Sequence, residues 1–378
     1  MQFCGGSWVE LSAGRLSGNA AAVAKAVAPA GVIAVVKADA YGHGLSECAK
    51  ILRGAGIRRF AVAYVAEGVA VRQAVPDAEL VFLLGRAGAG DVGSLRAWGI
   101  TPGVVSSEHA AELDAAARAD GGGPLWVHLK LDTGMGRLGF PVPAALDEAK
   151  SVLGLPGLRV EGLCMHFAKV DPVGDPGWAE GQRERFAAAG AVLEAAAGRR
   201  LFRHASATAA ALRLPTADGD SVRVGISLYG YEAAAEGGRF RTAPILQWKT
   251  KVVQVKRVPK GFYAGYDGTW RAERETILAT LSVGYADGYR RSFGNRAEVL
   301  LGGRRCKVAG RVSMNWLIVD AGPAGGPGES SRPGDEAVLL GEQGGECVWA
   351  DELARLDGTI SYEILTGLSR QLERRWVD

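Results

Sequence analysis

The feature that most constrains the fold is a regular alternation of short apolar runs with Ala-rich helical stretches over the first two-thirds of the chain. The apolar runs predict eight strands, at residues 32–37, 60–65, 80–84, 101–105, 125–131, 160–166, 201–206 and 222–228. The clearest helical stretches between them are residues 45–53, 67–75, 107–118 and 182–197. Apolar strands separated by helices are typical of a parallel sheet. Eight such units predict a (β/α)8 TIM-type barrel, with an open doubly wound sheet as the alternative.

The pattern changes after residues 232–238. From there, short strands follow one another with Gly-rich turns, at residues 248–255, 276–282, 298–301, 307–308, 316–319 and 336–340. Closely spaced strands of this kind predict a mostly β domain. We therefore expect a barrel domain over residues 12–238 and a mostly β C-terminal domain over residues 239–378. Residues 1–11 are expected to belong to the β domain.

Composition excludes several classes of protein. Lys and Arg number 44 and Asp and Glu 41, so the net charge is +3. The sequence contains no basic tract, which argues against nucleic-acid binding. The histidines show no metal-ligand spacing, so no metal is expected. The start of the chain lacks the pattern of a signal peptide, and no apolar run is long enough for a membrane helix. The cysteines are odd in number and contain no C-x-x-C pair, which favours a reducing, cytoplasmic location; they are Cys4, Cys48, Cys164, Cys306 and Cys347.

Lys37 stands out because it follows an apolar run and because lysine is scarce, at 11 residues in 378. A lysine at the carboxyl end of a buried strand loses solvation unless it is paired or used in chemistry. Active sites of barrels lie at that end, and a desolvated lysine suits Schiff-base or general-base chemistry. From position alone, a lysine whose ammonium group reaches solvent is an equal alternative.

The surrounding residues favour the functional interpretation. Residues 36–44 read Val-Lys-Ala-Asp-Ala-Tyr-Gly-His-Gly and resemble the cofactor-lysine motif of the alanine racemases, which bind pyridoxal 5′-phosphate. Further stretches resemble the same family in the same order along nearly the whole chain, at residues 8–10, 128–139, 166–168, 222–226, 283–291, 310–314 and 360–363. Several motifs in order are far more specific than a single match.

The resemblance implies a two-base racemase. Lys37 would form a Schiff base with the cofactor, which serves as an electron sink, and would then act as the base for D-alanine. Tyr285 would be the base for L-alanine, tuned through a network with His166 and Arg223 because a free phenol has a pKa near 10. Arg223 would face the pyridine nitrogen. A guanidinium only donates, so that nitrogen would stay unprotonated and the ring would be a weaker electron sink.

The family also implies which residues bind the cofactor and substrate. The cofactor phosphate is assigned to Tyr41, Thr208, Gly225, Ile226 and Tyr362, and the substrate carboxylate to Arg137 and the backbone N–H of Met314. Lys130 matches a lysine that many members carry as a carbamate. The chain departs from the family pattern at Ala207 and Thr208, at Ser313 and Asn315, and over residues 265–270.

Other functions remain to be weighed. Residues 134–139 read G-x-G-x-x-G, as in a dinucleotide-binding loop, but prolines at 141 and 143 would break the helix that such a loop needs. A noncatalytic barrel that binds pyridoxal phosphate would lack the β domain, and Arg223 argues against a decarboxylase. Serine or a broader set of amino acids remains open as substrate. The family resemblance also implies a homodimer in which the β domain of one chain covers the partner's barrel and supplies Tyr285 and Met314.

Overall fold

The computed structural model describes residues 6–171, 174–214, 219–231 and 238–378. Its strands are β1 (Ser7–Ser12), β2 (Gly31–Val35), β3 (Arg59–Val62), β4 (Leu80–Leu83), β5 (Ile100–Val104), β6 (Leu125–Asp132), β7 (Phe140–Pro141), β8 (Leu158–Cys164), β9 (Phe202–His204), β10 (Ser221–Val224), β11 (Leu246–Val258), β12 (Tyr263–Ala264), β13 (Trp270–Arg271), β14 (Thr276–Leu281), β15 (Glu298–Leu301), β16 (Arg304–Val308), β17 (Leu317–Pro323), β18 (Glu336–Gln343), β19 (Glu346–Val348) and β20 (Glu373–Val377).

Its helical segments are α1 (Ala13–Val27), α2 (Lys37–Gly42), α3 (Leu45–Gly54), α4 (Val65–Ala74), α5 (Val92–Ala97), α6 (Ser107–Asp120), α7 (Leu146–Ser151), α8 (Pro176–Ala197), α9 (Thr208–Arg213), α10 (Ala350–Asp357) and α11 (Ser361–Thr366). Short 3-10 turns lie at Ala89–Asp91, Val152–Gly154, Ile226–Tyr229, Tyr266–Gly268, Arg291–Phe293 and Pro327–Ser330.

The chain divides into two compact units. One comprises Arg15–Ala243, and the other combines Met1–Gly14 with Pro244–Asp378. The boundary expected from the sequence lay at residue 238, and residues 232–237 beside it lie outside the described residues.

The larger unit is a nearly closed barrel of parallel strands. The strand order is β10-β2-β3-β4-β5-β6-β8-β9, and the short β7 pairs with β6. The two end strands meet through a parallel bridge between Ala207 and Arg223, where the Arg223 N–H donates to Ser206 O at 2.8 Å. The predicted barrel is therefore confirmed, and the open doubly wound sheet was wrong.

The barrel strands are short and buried on both faces. In β2, for example, Ile33 and Ala34 are fully buried, as expected for a strand between a barrel interior and a layer of helices. Seven of the eight predicted barrel strands end earlier than the apolar pattern predicts, and two of them matter for the site. β2 stops at Val35, two residues before Lys37, and β10 stops at Val224, before a 3-10 turn. Apolar residues thus continue past the hydrogen-bonded strand and line its carboxyl end.

The segment after β2 has an unusual backbone. In α2, four consecutive residues, Ala38 to Tyr41, have φ between 52° and 56° and ψ between 35° and 49°. These values belong to the left-handed helical region, which costs an L-residue roughly 1–2 kcal/mol. The segment is therefore a left-handed turn directly after Lys37. Hydrogen bonds fix it: the Leu45 N–H donates to Asp39 Oδ1 at 2.8 Å, and the Gly44 N–H donates to Asp39 O at 2.9 Å.

The smaller unit is built around a long antiparallel strand. β11 spans thirteen residues and pairs with β1, β14 and β18 within the order β19-β18-β15-β16-β17-β14-β11-β1-β20. Among the described strands of this sheet, β1 and β20 form the one parallel pair. Trp248, Tyr289 and Phe293 form a buried aromatic cluster: the first two rings are tilted with centroids 5.8 Å apart, and the last two meet edge to face at 5.2 Å. The predicted mostly β C-terminal region is confirmed.

Among the described residues, no helix combines the length and the apolar character that crossing a membrane requires. The four cysteines in the described part of the chain are free thiols, and Cys4 lies outside it.

Candidate active site

The predicted residues of the barrel unit gather at one end of the barrel. Most of them follow the carboxyl ends of strands, where side chains of neighbouring βα loops meet; these are Lys37, Tyr41, Arg137, His166, Thr208, Gly225 and Ile226. Lys130 lies near the end of β6 and Arg223 in β10. Tyr285, Met314 and Tyr362 belong to the other unit.

Lys37 lies in a setting that favours its neutral amine. Burial lowers its pKa first, the charge of Arg137 lowers it further, and only Glu67 opposes them. A lysine whose pKa falls is a better nucleophile and base near neutral pH. The sequence-based expectation of a desolvated lysine at this position therefore has a physical counterpart in the structure.

Glu67 holds the loop that carries Lys37. Its Oε1 accepts the Ala38 N–H at 2.7 Å, and its Oε2 accepts the N–H groups of Ala63 at 2.8 Å and Tyr64 at 3.2 Å. One carboxylate thus joins the turns after β2 and β3. Sequence analysis missed Glu67, although a glutamate three residues after a helix N-cap is a capping signal.

Arg223 is a buried cation surrounded by neutral acceptors. Its Nη1 lies 2.9 Å from His204 Nδ1 and also donates to His204 O. Its Nη2 donates to the carbonyls of Met165 at 2.6 Å and Ala205 at 2.9 Å. His166 Nδ1 is only a distant contact, at 3.4 Å from Nη2. Arg223 forms no ion pair with any described residue, so its positive charge is not compensated within the barrel.

His166 lies near four basic side chains. Burial first, and then the charges of Arg223, Lys130, Arg137 and Lys37, together lower its pKa to about 3. The imidazole is therefore neutral at physiological pH. Because the effect of one charge on another falls with distance, these four side chains lie near His166 at the barrel end.

The Gly-rich stretch after β6 builds the loop that carries Arg137. The Asp132 carboxylate accepts backbone N–H groups from Gly134 at 2.9 Å, Met135 at 2.8 Å and Gly136 at 2.9 Å. Gly134 and Gly136 have φ values of 131° and 70°, which glycine adopts without strain. This is a carboxylate-centred turn, and no helix follows it, so the dinucleotide-binding alternative has no structural basis here.

Lys130 is half-buried near the end of β6. Burial lowers its pKa first; the charges of Arg223 and Arg137 also lower it, while Cys164 raises it. Its register partner on β8 is Cys164, whose own thiol pKa is raised by burial. An uncharged amine in this position is the form that can react with an electrophile such as carbon dioxide.

Tyr41, Thr208 and Gly225 form a cradle that accepts no extra atom. A Cβ on Gly225 would lie 2.2 Å from the Tyr41 hydroxyl oxygen, and the Gly225 N–H donates to Thr208 Oγ1 at 3.1 Å. Hydroxyl and backbone N–H groups are the donors that a phosphate requires. The hydroxyl and backbone donors of Tyr41, Thr208 and Gly225 fit a phosphate-bearing cofactor.

Gln182 connects two loops of the site, a role that sequence analysis did not predict. Its Nε2 donates to Thr133 Oγ1 at 3.1 Å and to His166 O at 3.2 Å, and its Oε1 accepts the Ala168 N–H at 2.9 Å. Gln182 is fully buried on α8. It therefore fixes the loop that carries Arg137 relative to the loop that carries His166.

In the β unit, Tyr285 and Met314 lie on two loops in contact. The Tyr285 N–H donates to Ser313 O and the Ala286 N–H donates to Met314 O, both at 3.0 Å. The loops approach so closely that a Cβ on Gly284 would lie 2.2 Å from Met314 O. Tyr285 is 43% exposed and Met314 55% exposed. Tyr362 lies in α11 and is half-buried.

Comparison with known proteins gives one consistent family. The model of the N-terminal domain of alanine racemase matches residues 11–233, and that of the C-terminal domain matches residues 245–376. The chain is 41% identical over 376 residues to an alanine racemase of Carboxydothermus hydrogenoformans, covering 98% of this chain and 99% of the relative. An alanine racemase of Symbiobacterium thermophilum is 38% identical, over 97% of this chain and 96% of the relative.

Solved structures agree. The alanine racemase of Bacillus anthracis with bound L-Ala-P superposes with a TM-score of 0.90 at 31% identity, covering 100% of this chain and 96% of that one. The alanine racemase of Streptomyces coelicolor has a TM-score of 0.87 at 33% identity, covering 99% and 98%.

Proposed function

The chain belongs to the alanine racemase family, and from that premise we propose that it interconverts L- and D-alanine with pyridoxal 5′-phosphate as its cofactor. One observation carries the proposal beyond family membership. Arg137 and Arg223, whose guanidinium groups stay charged, both lower the pKa of His166, and neither forms an ion pair with a described residue. Arg223 is buried, and a buried cation without a counter-charge is costly. A cofactor phosphate and a substrate carboxylate are the anions that would balance the two guanidinium groups.

The proposed proton transfers are divided between two residues. The cofactor, when bound, supplies an electron sink for the electrons left at the α-carbon. Lys37 would hold the cofactor through Nζ and, once released, would take or return the α-proton on the D side. Its lowered pKa supports this role. Tyr285 would take or return the proton on the opposite side, and the residue is 43% exposed in the described chain.

The remaining residues would bind and orient. Arg223 would donate to the pyridine nitrogen without providing a transferable proton, and His166 would remain neutral beside it. Arg137 and the Met314 N–H would hold the substrate carboxylate. The residues proposed for the phosphate are Tyr41, Thr208, Gly225, Ile226 and Tyr362, of which Tyr41, Thr208 and Gly225 form the cradle described above.

Lys130 is proposed to be carbamylated. Its lowered pKa supports a neutral amine that can add carbon dioxide. The resulting negative charge would give Arg137 an attractive partner. The intact mass of the native protein, compared with that of Lys130→Met, tests this directly: a carbamate adds the mass of carbon dioxide to the unsubstituted chain only.

Conversion of L-alanine to D-alanine by the purified, cofactor-loaded protein tests the proposed function. We expect alanine to be racemised faster than serine, lysine or arginine, and Lys37→Ala to have no activity. Lys25→Ala, on the outer helix α1, serves as the matched lysine control and keeps full activity. A loaded protein that racemises none of these amino acids would contradict the proposal, and faster turnover of serine would reassign the substrate.

We further propose a cytoplasmic homodimer that supplies D-alanine for the cell wall and in which each site uses Tyr285 and Met314 of the partner. The exposure of both side chains supports a partner surface over them. The test mixes inactive Lys37→Ala and inactive Tyr285→Phe proteins under conditions of subunit exchange. Shared sites predict recovery of about a quarter of the original activity, because half of the randomly formed dimers are mixed and each contains one intact site. Demonstrated exchange without recovery would show that each chain builds its own site.

A further inference from the structure

Behind Arg223 lies a pair of histidines that the proposed mechanism does not use. His204 ends β9, and its Nδ1 lies 2.9 Å from Arg223 Nη1. The other ring nitrogen of His204, Nε2, lies 2.8 Å from Nδ1 of His128 in β6. The three side chains therefore form a chain of hydrogen bonds from Arg223 across the barrel interior. Neither histidine was predicted to have a separate role.

Arg223 fixes the direction of the hydrogen bonds that link it to His204 and His128. A guanidinium has only donors, so His204 Nδ1 must accept and carries no hydrogen. The single hydrogen of neutral His204 then sits on Nε2 and is donated to His128 Nδ1. His128 in turn must carry its hydrogen on Nε2. If either ring were cationic, two N–H groups would point at each other across less than a normal contact distance.

The surroundings of the pair exclude water and counter-charge. His204 is fully buried and His128 is 3% exposed. Phe82 stacks on His128 with ring centroids 5.1 Å apart and meets His204 edge-on at 4.8 Å. Burial and the charge of Arg223 lower the pKa of both rings, that of His128 to about 3. No carboxylate of the described residues forms a hydrogen bond with Arg223, His204 or His128.

Space for the pair is provided by a glycine. A Cβ on Gly162 would lie 2.8 Å from His128 Nε2 and 2.7 Å from Phe202 O. Gly162 and His128 are register partners on adjacent strands. The ring of His128 therefore occupies room that any larger residue at position 162 would take, so its orientation toward His204 is set by the barrel backbone.

We propose that His204 and His128 are positioning residues, which orient Arg223 through a hydrogen-bond chain with one fixed arrangement of protons while leaving its charge uncompensated. A carboxylate in place of His204 would orient Arg223 equally well but would cancel its charge. Neutral imidazoles provide acceptors without that effect, so Arg223 keeps its full positive potential toward the barrel end. The link to catalysis rests on the proposed function, in which Arg223 meets the pyridine nitrogen.

The proton arrangement is testable without any activity measurement. Long-range 1H–15N correlation spectra of the apoprotein, with ¹⁵N-labelled histidine, distinguish the two neutral tautomers and the cation. We expect His204 and His128 to be the Nε2–H tautomer, unchanged between about pH 5 and pH 8. A hydrogen on Nδ1 of either ring, or titration in that range, would overturn the inference and leave the racemase proposal untouched.

Matched variants test the positioning role. In His204→Asn the amide oxygen can replace Nδ1 as acceptor, whereas His204→Leu has no acceptor and His204→Asp adds a charge. We expect the dissociation constant for pyridoxal 5′-phosphate to rise about tenfold in His204→Leu and His204→Asp, which corresponds to about 1.4 kcal/mol, and less than threefold in His204→Asn.

His109→Leu is the control, because His109 is also a buried histidine with a lowered pKa but bonds to the Ala87 carbonyl. It should lose stability and keep cofactor affinity. Equal affinity losses in all three His204 variants and in His109→Leu would show that His204 serves stability alone. If no variant and not even the unsubstituted chain binds the cofactor, the proposed function fails, while the tautomer result stands separately.

Discussion

At the scale of single residues, the proposed phosphate site depends on how closely a backbone segment approaches a tyrosine hydroxyl. Gly225 is the sharpest case, because any Cβ at this position would collide with the Tyr41 hydroxyl at 2.2 Å. Tyr41 cannot retreat easily, since its ring lies 5.2 Å from that of the buried Tyr229. The close approach therefore places backbone and hydroxyl donors together where a phosphate is proposed to bind.

Gly225→Ala should displace Tyr41 and weaken cofactor binding. Overpacking of this kind costs about 1–3 kcal/mol, so we expect the dissociation constant for pyridoxal 5′-phosphate to rise by about fivefold to about 150-fold. Absorbance titration of the apoprotein measures it. Gly18→Ala, in α1 with no atom within 4 Å of the added Cβ, should leave the constant unchanged. Equal binding by both variants would mean that the cradle does not hold the phosphate.

The sequence could predict the residues that a motif carries but not those that hold them. Lys37, Arg137 and Arg223 lie in recognisable motifs, and the structure brings all three to one end of the barrel. The contacts by which Glu67 and Gln182 join separate loops were missed because they span 14 to 49 residues of the chain, although Glu67 also carries a local capping signal. A hydrogen bond to a backbone N–H imposes no residue type on the partner, so it leaves no pattern to read.

At the scale of elements, the left-handed turn after β2 is the least expected feature. Hydrophobic periodicity predicts where strands lie, but it does not report the sign of φ. Ala38 and Ala40 have no intrinsic preference for this conformation. The turn exists because tertiary contacts, including the bonds to Glu67 and Asp39, outweigh the local cost. It also explains why β2 stops short of Lys37.

Replacing Ala38 by glycine should relieve that cost. We expect Ala38→Gly to raise the free energy of unfolding by about 0.5–1 kcal/mol, since glycine adopts positive φ without strain but loses more entropy on folding. In the right-handed helix α1, the exposed Ala24→Gly should lower it by about 1 kcal/mol. Urea unfolding of both variants gives the comparison. Destabilisation of both by the same amount would contradict the left-handed turn.

At the scale of the whole molecule, the buried histidines couple stability to pH. The pKa of His128 falls from its ordinary 6.5 to about 3 in the folded chain. Between those values the unfolded chain binds the proton and the folded chain does not, so stability falls as pH falls. Above pH 6.5 this group has no effect.

His128→Leu should therefore flatten the pH dependence of stability. Removing one such group reduces the slope by about 1.4 kcal/mol per pH unit between about pH 4 and pH 6, whatever it does to stability at neutral pH. Denaturant unfolding at several pH values measures the slope. His109→Leu should have a smaller effect, because the lowering of its pKa is opposed by a hydrogen bond to Ala87. An unchanged slope in His128→Leu would show that His128 is protonated in the folded chain.

The central claim is that two bases, one in each unit, act on opposite sides of the α-carbon. Exchange of the α-proton with heavy water, followed separately for each enantiomer in the Tyr285→Phe variant, tests it most directly. Because Lys37 is intact in that variant, D-alanine should still exchange its α-proton, while exchange from L-alanine and net racemisation should be lost. Equal loss of exchange for both enantiomers would contradict the division of the two proton transfers between Lys37 and Tyr285.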